Sequence, residues 1–179
     1  MNRSIGLWLA PLFAGGAVAL VLGVYGRVHP PARELIVSFG FSTVLTMKVW
    51  FGTFAVLLAG VQVVTALAMG GVLRLPGGRR PWAAGAHRWS GRLAFLFTLP
   101  VAFHCLYSLG LQYSSPRVLV HSVVGCLLYG AFTTKMLMLS RENARFGAVA
   151  VVGGVVFAGF VGVWLTSSLW FFATVGIRV

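Results

Sequence analysis

The chain has no aspartate and only two glutamates, Glu34 and Glu142, in 179 residues. That shortage removes the multi-carboxylate cages that hold calcium and the paired acids that cleave glycosides. It also leaves no acid for a Ser-His-Asp arrangement. Neither a Walker loop nor a His-Glu-x-x-His pair is present, so hydrolase chemistry lacks its parts. Charged residues of both signs make up 9% of the chain, against about 25% in a soluble domain. Cysteine is scarce too. Cys105 and Cys126 both fall in apolar stretches, where a thiol reads as a small buried hydrophobe rather than a nucleophile or disulfide partner.

What the chain does have is apolar surface. Hydrophobic residues are 59% of it and its mean hydropathy is +0.93, a composition that belongs in a bilayer. A helix needs about 20 such residues to cross about 30 Å of hydrocarbon. Five stretches qualify, near 5–25, 44–70, 93–111, 118–139 and 146–171. The expected fold is therefore all-α, one transmembrane bundle of five helices over residues 1–179. The first run is long for a signal-peptide core and no Ala-x-Ala site follows, so it is read as a retained helix.

The net charge of +12 is distributed by side. Arg3, then Arg74, Arg79, Arg80, Arg88 and Arg92, then Arg141 and Arg145 fall on one side of the spans. The other side carries Arg27, Arg33, Arg117 and Arg178, with Lys48 just inside the second span. The positive-inside rule then puts the N-terminus in the cytoplasm and the C-terminus outside, as for a multi-pass protein of a bacterial inner membrane. Basic residues in short loops beside spans encode topology, and nucleic acid is not an expected partner. The loop Pro76-Gly77-Gly78-Arg79-Arg80-Pro81 is the densest cluster, accounted for by anionic lipid of the inner leaflet. Pro30 and Pro31 before Ala32-Arg33-Glu34-Leu35 resemble a helix start. Residues 35–41 are too few to cross, and form either an interfacial segment or an extension of the second helix.

Gly15, Ala19 and Gly23, and likewise Gly154, Ala158 and Gly162, are small residues at four-residue spacing. They serve either a homodimer contact or packing within the chain. Trp8, Trp50, Trp82, Trp89, Trp164 and Trp170 fall mostly near span ends, where aromatic belts form.

Ionisable groups at membrane depth are costly and point to function, and three histidines stand at or inside spans: His87, His104 and His121. His87 and His121 each open a His-x-x-x-Gly pattern, ending at Gly91 and Gly125. Imidazole is a common ligand of haem iron. At about 1.5 Å per residue, His104 and His121 lie roughly 6 to 10 Å outside the midplane, in the same outer half. His87 lies about 25 Å from His104 along the axis, at the cytoplasmic surface, too far to share one haem. His29 returns to the outer side as a third candidate there. The short connection 112–116 suggests that the third and fourth helices pack directly. That disfavours a simple His104–His121 sandwich, and leaves a diagonal pairing or a splayed pair. A glycine one turn after each histidine offers a flat surface, to a macrocycle or to another helix.

The stretch His87-Arg-Trp-Ser-Gly-Arg-Leu-Ala-Phe-Leu-Phe, with His104 later in the same helix and His121-Ser-Val-Val-Gly in the next, resembles the haem-binding helices of the cytochrome b561 and ferric-reductase-like group. The resemblance covers residues 86–135. It implies b-type haem and electron transfer across the membrane, with His87, His104 and His121 as iron ligands. Members with two haems have six helices and four helix histidines. This chain has five spans and no histidine in the second or fifth, so one outer haem is the expected count. For an inner haem, Met136 or Met138 would have to supply the second ligand. The whole chain, including Leu22-Gly-Val-Tyr-Gly-Arg and Trp164-Leu-Thr-Ser-Ser-Leu-Trp-Phe-Phe, also resembles an uncharacterised family of actinobacterial membrane proteins.

Lys48 and Arg117, on the outer side with Arg27, could hold haem propionates; Lys48 could instead pair with an anionic substrate or snorkel to the headgroups. Lys135 snorkels inward or donates to a neighbouring helix. Gln62, near mid-depth, is an interhelical hydrogen bond or a quinone contact. Two functions follow. One is a b-type cytochrome carrying electrons from a quinone or a redox partner protein to an extracytoplasmic acceptor. The other is a cofactor-free subunit of a larger membrane complex, or a small transporter, with the histidines in helix packing.

Overall fold

The computed structural model describes residues 3–32, 37–73, 81–141 and 146–179, and the side chains from Trp8 onward within them. Residues 33–36, which hold most of the expected helix start and part of the 35–41 segment, and the basic loop around Arg79 and Arg80 lie outside the described residues. Within them all regular secondary structure is helical, with no strand. The helices are α1 (Arg3–Val28), α2 (Val44–Met69), α3 (Trp82–Phe103), α4 (Pro116–Leu139), α5 (Phe146–Trp164) and the short α6 (Trp170–Val175). A π-helical segment, His104–Leu109, continues α3, and a second, Leu165–Leu169, joins α5 to α6. Five of the resulting helices are long and apolar enough to cross a membrane, so the chain is a multi-pass membrane protein by length and composition.

The helix starts follow local chemistry. Thr43 and Thr46 form a capping box, each hydroxyl accepting the other's backbone N–H at 3.1 and 3.0 Å, which satisfies donors that no turn precedes. Ser115 accepts from the Val118 amide at 3.3 Å, and Pro116 occupies the first turn of α4, where its missing N–H costs nothing. The third span begins at Trp82 rather than near residue 93. Arg88 and Arg92 keep that part out of the hydrocarbon core, but neither is a helix breaker, so the helix runs on through the interface. His87 thus sits in its second turn.

The helices pack in antiparallel seams, α2 along α3 and α1 along α4, with α5 against α4 and α2. The α1–α4 crossing is very close. A Cβ on Gly15 would meet the Thr134 hydroxyl and the Gly130 carbonyl, and one on Gly130 would meet Gly15. Thr134 donates to the Pro11 carbonyl at 3.2 Å, a contact that only such small neighbours allow. The stripe of Gly15 and Ala19 is therefore spent on packing within the chain. In α5, Gly162 faces Val124, whereas Gly154 and Ala158 remain exposed.

The α3–α4 pair departs from the expectation drawn from its short connection. The two helices do not lie backbone to backbone; they meet through long side chains. Phe95 stacks on Phe132 with ring centres 4.4 Å apart, and Tyr129 donates to the Thr98 hydroxyl at 2.9 Å. The connection itself is fastened elsewhere. The Leu111 amide donates to the Gly26 carbonyl and the Ala32 amide to the Tyr107 carbonyl at 3.2 Å. Gly110, at φ 70, makes the turn, a conformation that favours glycine. Fixed to α1, the end of α3 is held away from α4.

Candidate functional site

The separation of α3 and α4 opens a partly open cavity of about 110 Å³. Val101, Ala102 and Cys105 line it from α3 and its π segment; His121, Gly125, Cys126 and Tyr129 from α4; Gly52 and Ala55 from α2; Phe160, Val163 and Trp164 from α5. The walls are mainly apolar. Trp164, read from sequence as a belt residue, faces this space and donates its Nε1–H to the Thr53 hydroxyl at 3.1 Å.

His121 is the imidazole on the cavity. Its Nδ1 lies 3.1 Å from the Thr166 hydroxyl, whose own proton goes to the Gly162 carbonyl at 2.7 Å. The hydroxyl therefore accepts, Nδ1 carries the hydrogen, and Nε2 keeps its lone pair. A metal-ligating histidine is oriented in this way. Thr166 lies in the π segment of α5, and such segments recur at functional sites. Arg117 donates to the Thr166 carbonyl and lies 3.8 Å over the Trp170 ring. The residue expected to hold propionates instead clamps the turn that carries the partner of His121. Gly125, one turn after His121, has open space where a Cβ would stand.

His104 does not line the cavity. It is buried at 6% exposure, with both ring nitrogens lacking a hydrogen-bond partner among the described residues. Across the α2–α3 seam, Lys48 donates to Sγ of the next residue, Cys105, at 3.6 Å. α3 is regular up to His104, where the π segment begins, and Pro100 stands one turn before it. His29 is stacked between Tyr25 and Tyr107, at 4.8 and 5.1 Å, with its Nε2 buried and without a partner among the described residues. It does not line the cavity either.

His87 stands at the opposite end of the bundle. Its Nδ1 lies 3.0 Å from the Thr65 hydroxyl and 3.2 Å from the Gln62 carbonyl. The Gln62 amide donates to the His87 carbonyl and to the Ser90 hydroxyl, the latter at 3.1 Å. A Cβ on Gly91 would come within 2.8 Å of that amide. Gly91 therefore makes room for Gln62 rather than for a ligand, and the interhelical reading of Gln62 holds. Met138 is buried in the core and Met136 is exposed. Lys135 sits beside Gly153 of α5.

The structure thus leaves the sequence-derived histidines in separate places. Among the described residues, no three His, Cys, Asp or Glu side chains come together. Cys105 and Cys126 are free thiols. The residues missed from sequence are Thr166 and Thr65, hydroxyls that fix the two histidine tautomers. The signal for Thr166 was present in Thr166-Ser167-Ser168, three hydroxyls in succession within an otherwise apolar span.

No curated protein and no solved structure matches this chain. A family model described as a family of unknown function does match, over residues 8–179. The resemblance to an uncharacterised family is thereby met over nearly the whole length, and the chain belongs to the DUF6529 family.

Proposed function

We propose that this protein lies in the bacterial cell membrane, N-terminus in the cytoplasm, and binds one b-type haem in the cavity between α3 and α4, passing electrons toward an extracytoplasmic acceptor. One observation carries this reading: His121 lines an apolar cavity, with its Nδ1 3.1 Å from a Thr166 hydroxyl that itself donates to the Gly162 carbonyl. A haem bound there would supply one-electron chemistry. The protein's part is to hold and shield it. Thr166 keeps the imidazole in one tautomer and orientation, Arg117 keeps Thr166 in place, and Gly125 leaves the α4 face flat. The apolar walls exclude water and lower the local dielectric.

His104 and His87 do not fit as partners in this cavity, so the reading is for a single haem with His121 as its one histidine ligand. The electron donor in this reading is a quinone or a redox partner protein. The arginine-rich side of the spans supports the orientation. The test is a dithionite-reduced minus oxidised visible spectrum of the purified full chain, with a pyridine haemochrome count. A b-type α band and one haem per chain are expected. No haem after expression with ample haem supply rejects the reading.

The other reading, a cofactor-free membrane subunit or small transporter, is favoured by the surroundings of His87. There a His-x-x-x-Gly element is occupied by Thr65, Gln62 and Ser90, as helix packing requires.

A further inference from the structure

Lys48 and His104 have complementary unmet needs. Contacts along the α2–α3 seam keep one antiparallel register: Gln62 with Ser90 at 3.1 Å, Thr65 with His87 at 3.0 Å, Phe54 with Phe97 at 5.6 Å and Lys48 with Cys105 at 3.6 Å. The same register sets His104 level with Lys48. His104 also follows Phe97 by two helical turns, on the face that Phe97 packs against Phe51 and Phe54 of α2. The imidazole is buried at 6% exposure and neither nitrogen has a partner among the described residues. A neutral imidazole always carries one N–H, and a buried unpaired donor costs about 1–3 kcal/mol. Lys48 bears a positive charge whose one acceptor among the described residues is a thiol sulfur, a weak one. A negatively charged oxygen between the two would accept from both.

We propose that Lys48 and His104 form an oxyanion site at the α1–α2 end of the bundle, taking a phosphate, as a lipid headgroup or as the free ion. Lys48 lies in the second turn of α2, close to where the helix leaves the hydrocarbon, which is headgroup depth. The lysine supplies charge and the imidazole N–H supplies direction. Arg27 and Arg117 do not compete, since Arg27 lies over the Tyr113 ring and Arg117 is held by Thr166 and Trp170. The inference does not depend on haem, and none of its probes contains any.

The test follows thermal unfolding of the full chain in neutral detergent, with added short-chain phosphatidylglycerol, short-chain diacylglycerol or inorganic phosphate. Phosphatidylglycerol is expected to raise Tm while diacylglycerol does not. An equal rise with inorganic phosphate assigns the site to the free ion, and its absence assigns it to the headgroup. Lys48→Met and His104→Leu should each weaken the apparent affinity about tenfold or more, the worth of a hydrogen bond to a charged group. Lys48→Arg should retain binding. Without any phosphate compound, His104→Leu should unfold at or above the wild-type temperature, because it removes a buried group that costs stability when unpaired; a purely structural role would lower Tm in every condition. The proposal is overturned if no phosphate compound stabilises the protein, or if stabilisation is unchanged in both variants. It is also overturned if binding appears only in Glu34→Gln, since the lysine's counter-ion would then be the chain's own carboxylate.

Discussion

Two elements of identical form, His87-x-x-x-Gly91 and His121-x-x-x-Gly125, sit at opposite ends of the bundle and have different surroundings. Both histidines have Nδ1 beside a threonine hydroxyl that donates one turn back along its own helix, Thr65 to Val61 and Thr166 to Gly162. The difference lies one turn further on. Gly91 is covered by Gln62, whereas Gly125 faces empty space. At the His87 end, α2 and α3 close on each other and use the polar groups to do so. At the His121 end, α3 is tied to α1 through Gly26 and held away from α4, so the imidazole faces a cavity. The same short pattern therefore serves packing or presentation according to the neighbouring helix.

The comparison can be broken most strongly at the threonines. Thr166→Val should weaken binding of the cavity ligand by about 10- to 100-fold, as loss of a ligand-orienting partner does, and Thr166→Ser should restore it. Thr65→Val should leave that affinity unchanged. Haem titration of the two variants side by side checks this, and equal losses would erase the distinction. Next in size are the glycines. Gly91→Val should cost about 1–3 kcal/mol by overpacking against Gln62, while Gly125→Val, entering open space, should cost little stability and reduce ligand occupancy. Denaturation in a defined detergent separates the two. The smallest effect is expected for Gln62→Leu, about 0.6 kcal/mol and at most about 1.7, the range for interhelical hydrogen bonds in membrane bundles. A larger loss, or any loss of ligand, would mean that the His87 end does more than pack.

The spans were legible in the sequence because hydropathy alone decides which segments can cross. The second, 44–70, coincides with the observed Val44–Met69. Small residues at Gly15 and Ala19 also announced a close crossing, though not its partner. The α3–α4 separation was illegible, because a short connection constrains only the ends of two helices. Here a glycine turn and two backbone hydrogen bonds to the α1 end and the segment after it redirect α3. His104 was placed by its depth along the helix and not by its face, so its turn away from the cavity was not legible. Thr166, 45 residues beyond His121, could not be paired with it by spacing. Its neighbouring serines and Pro100 were the available warnings of irregular helix.

The most direct test of the central claim is haem content per chain in the matched variants His121→Ala and His87→Ala, purified after expression with excess haem. One haem in the wild type and in His87→Ala, with none in His121→Ala, is the predicted result. Haem lost in His87→Ala but kept in His121→Ala would contradict the assignment of the cavity as the binding site and of His121 as its ligand.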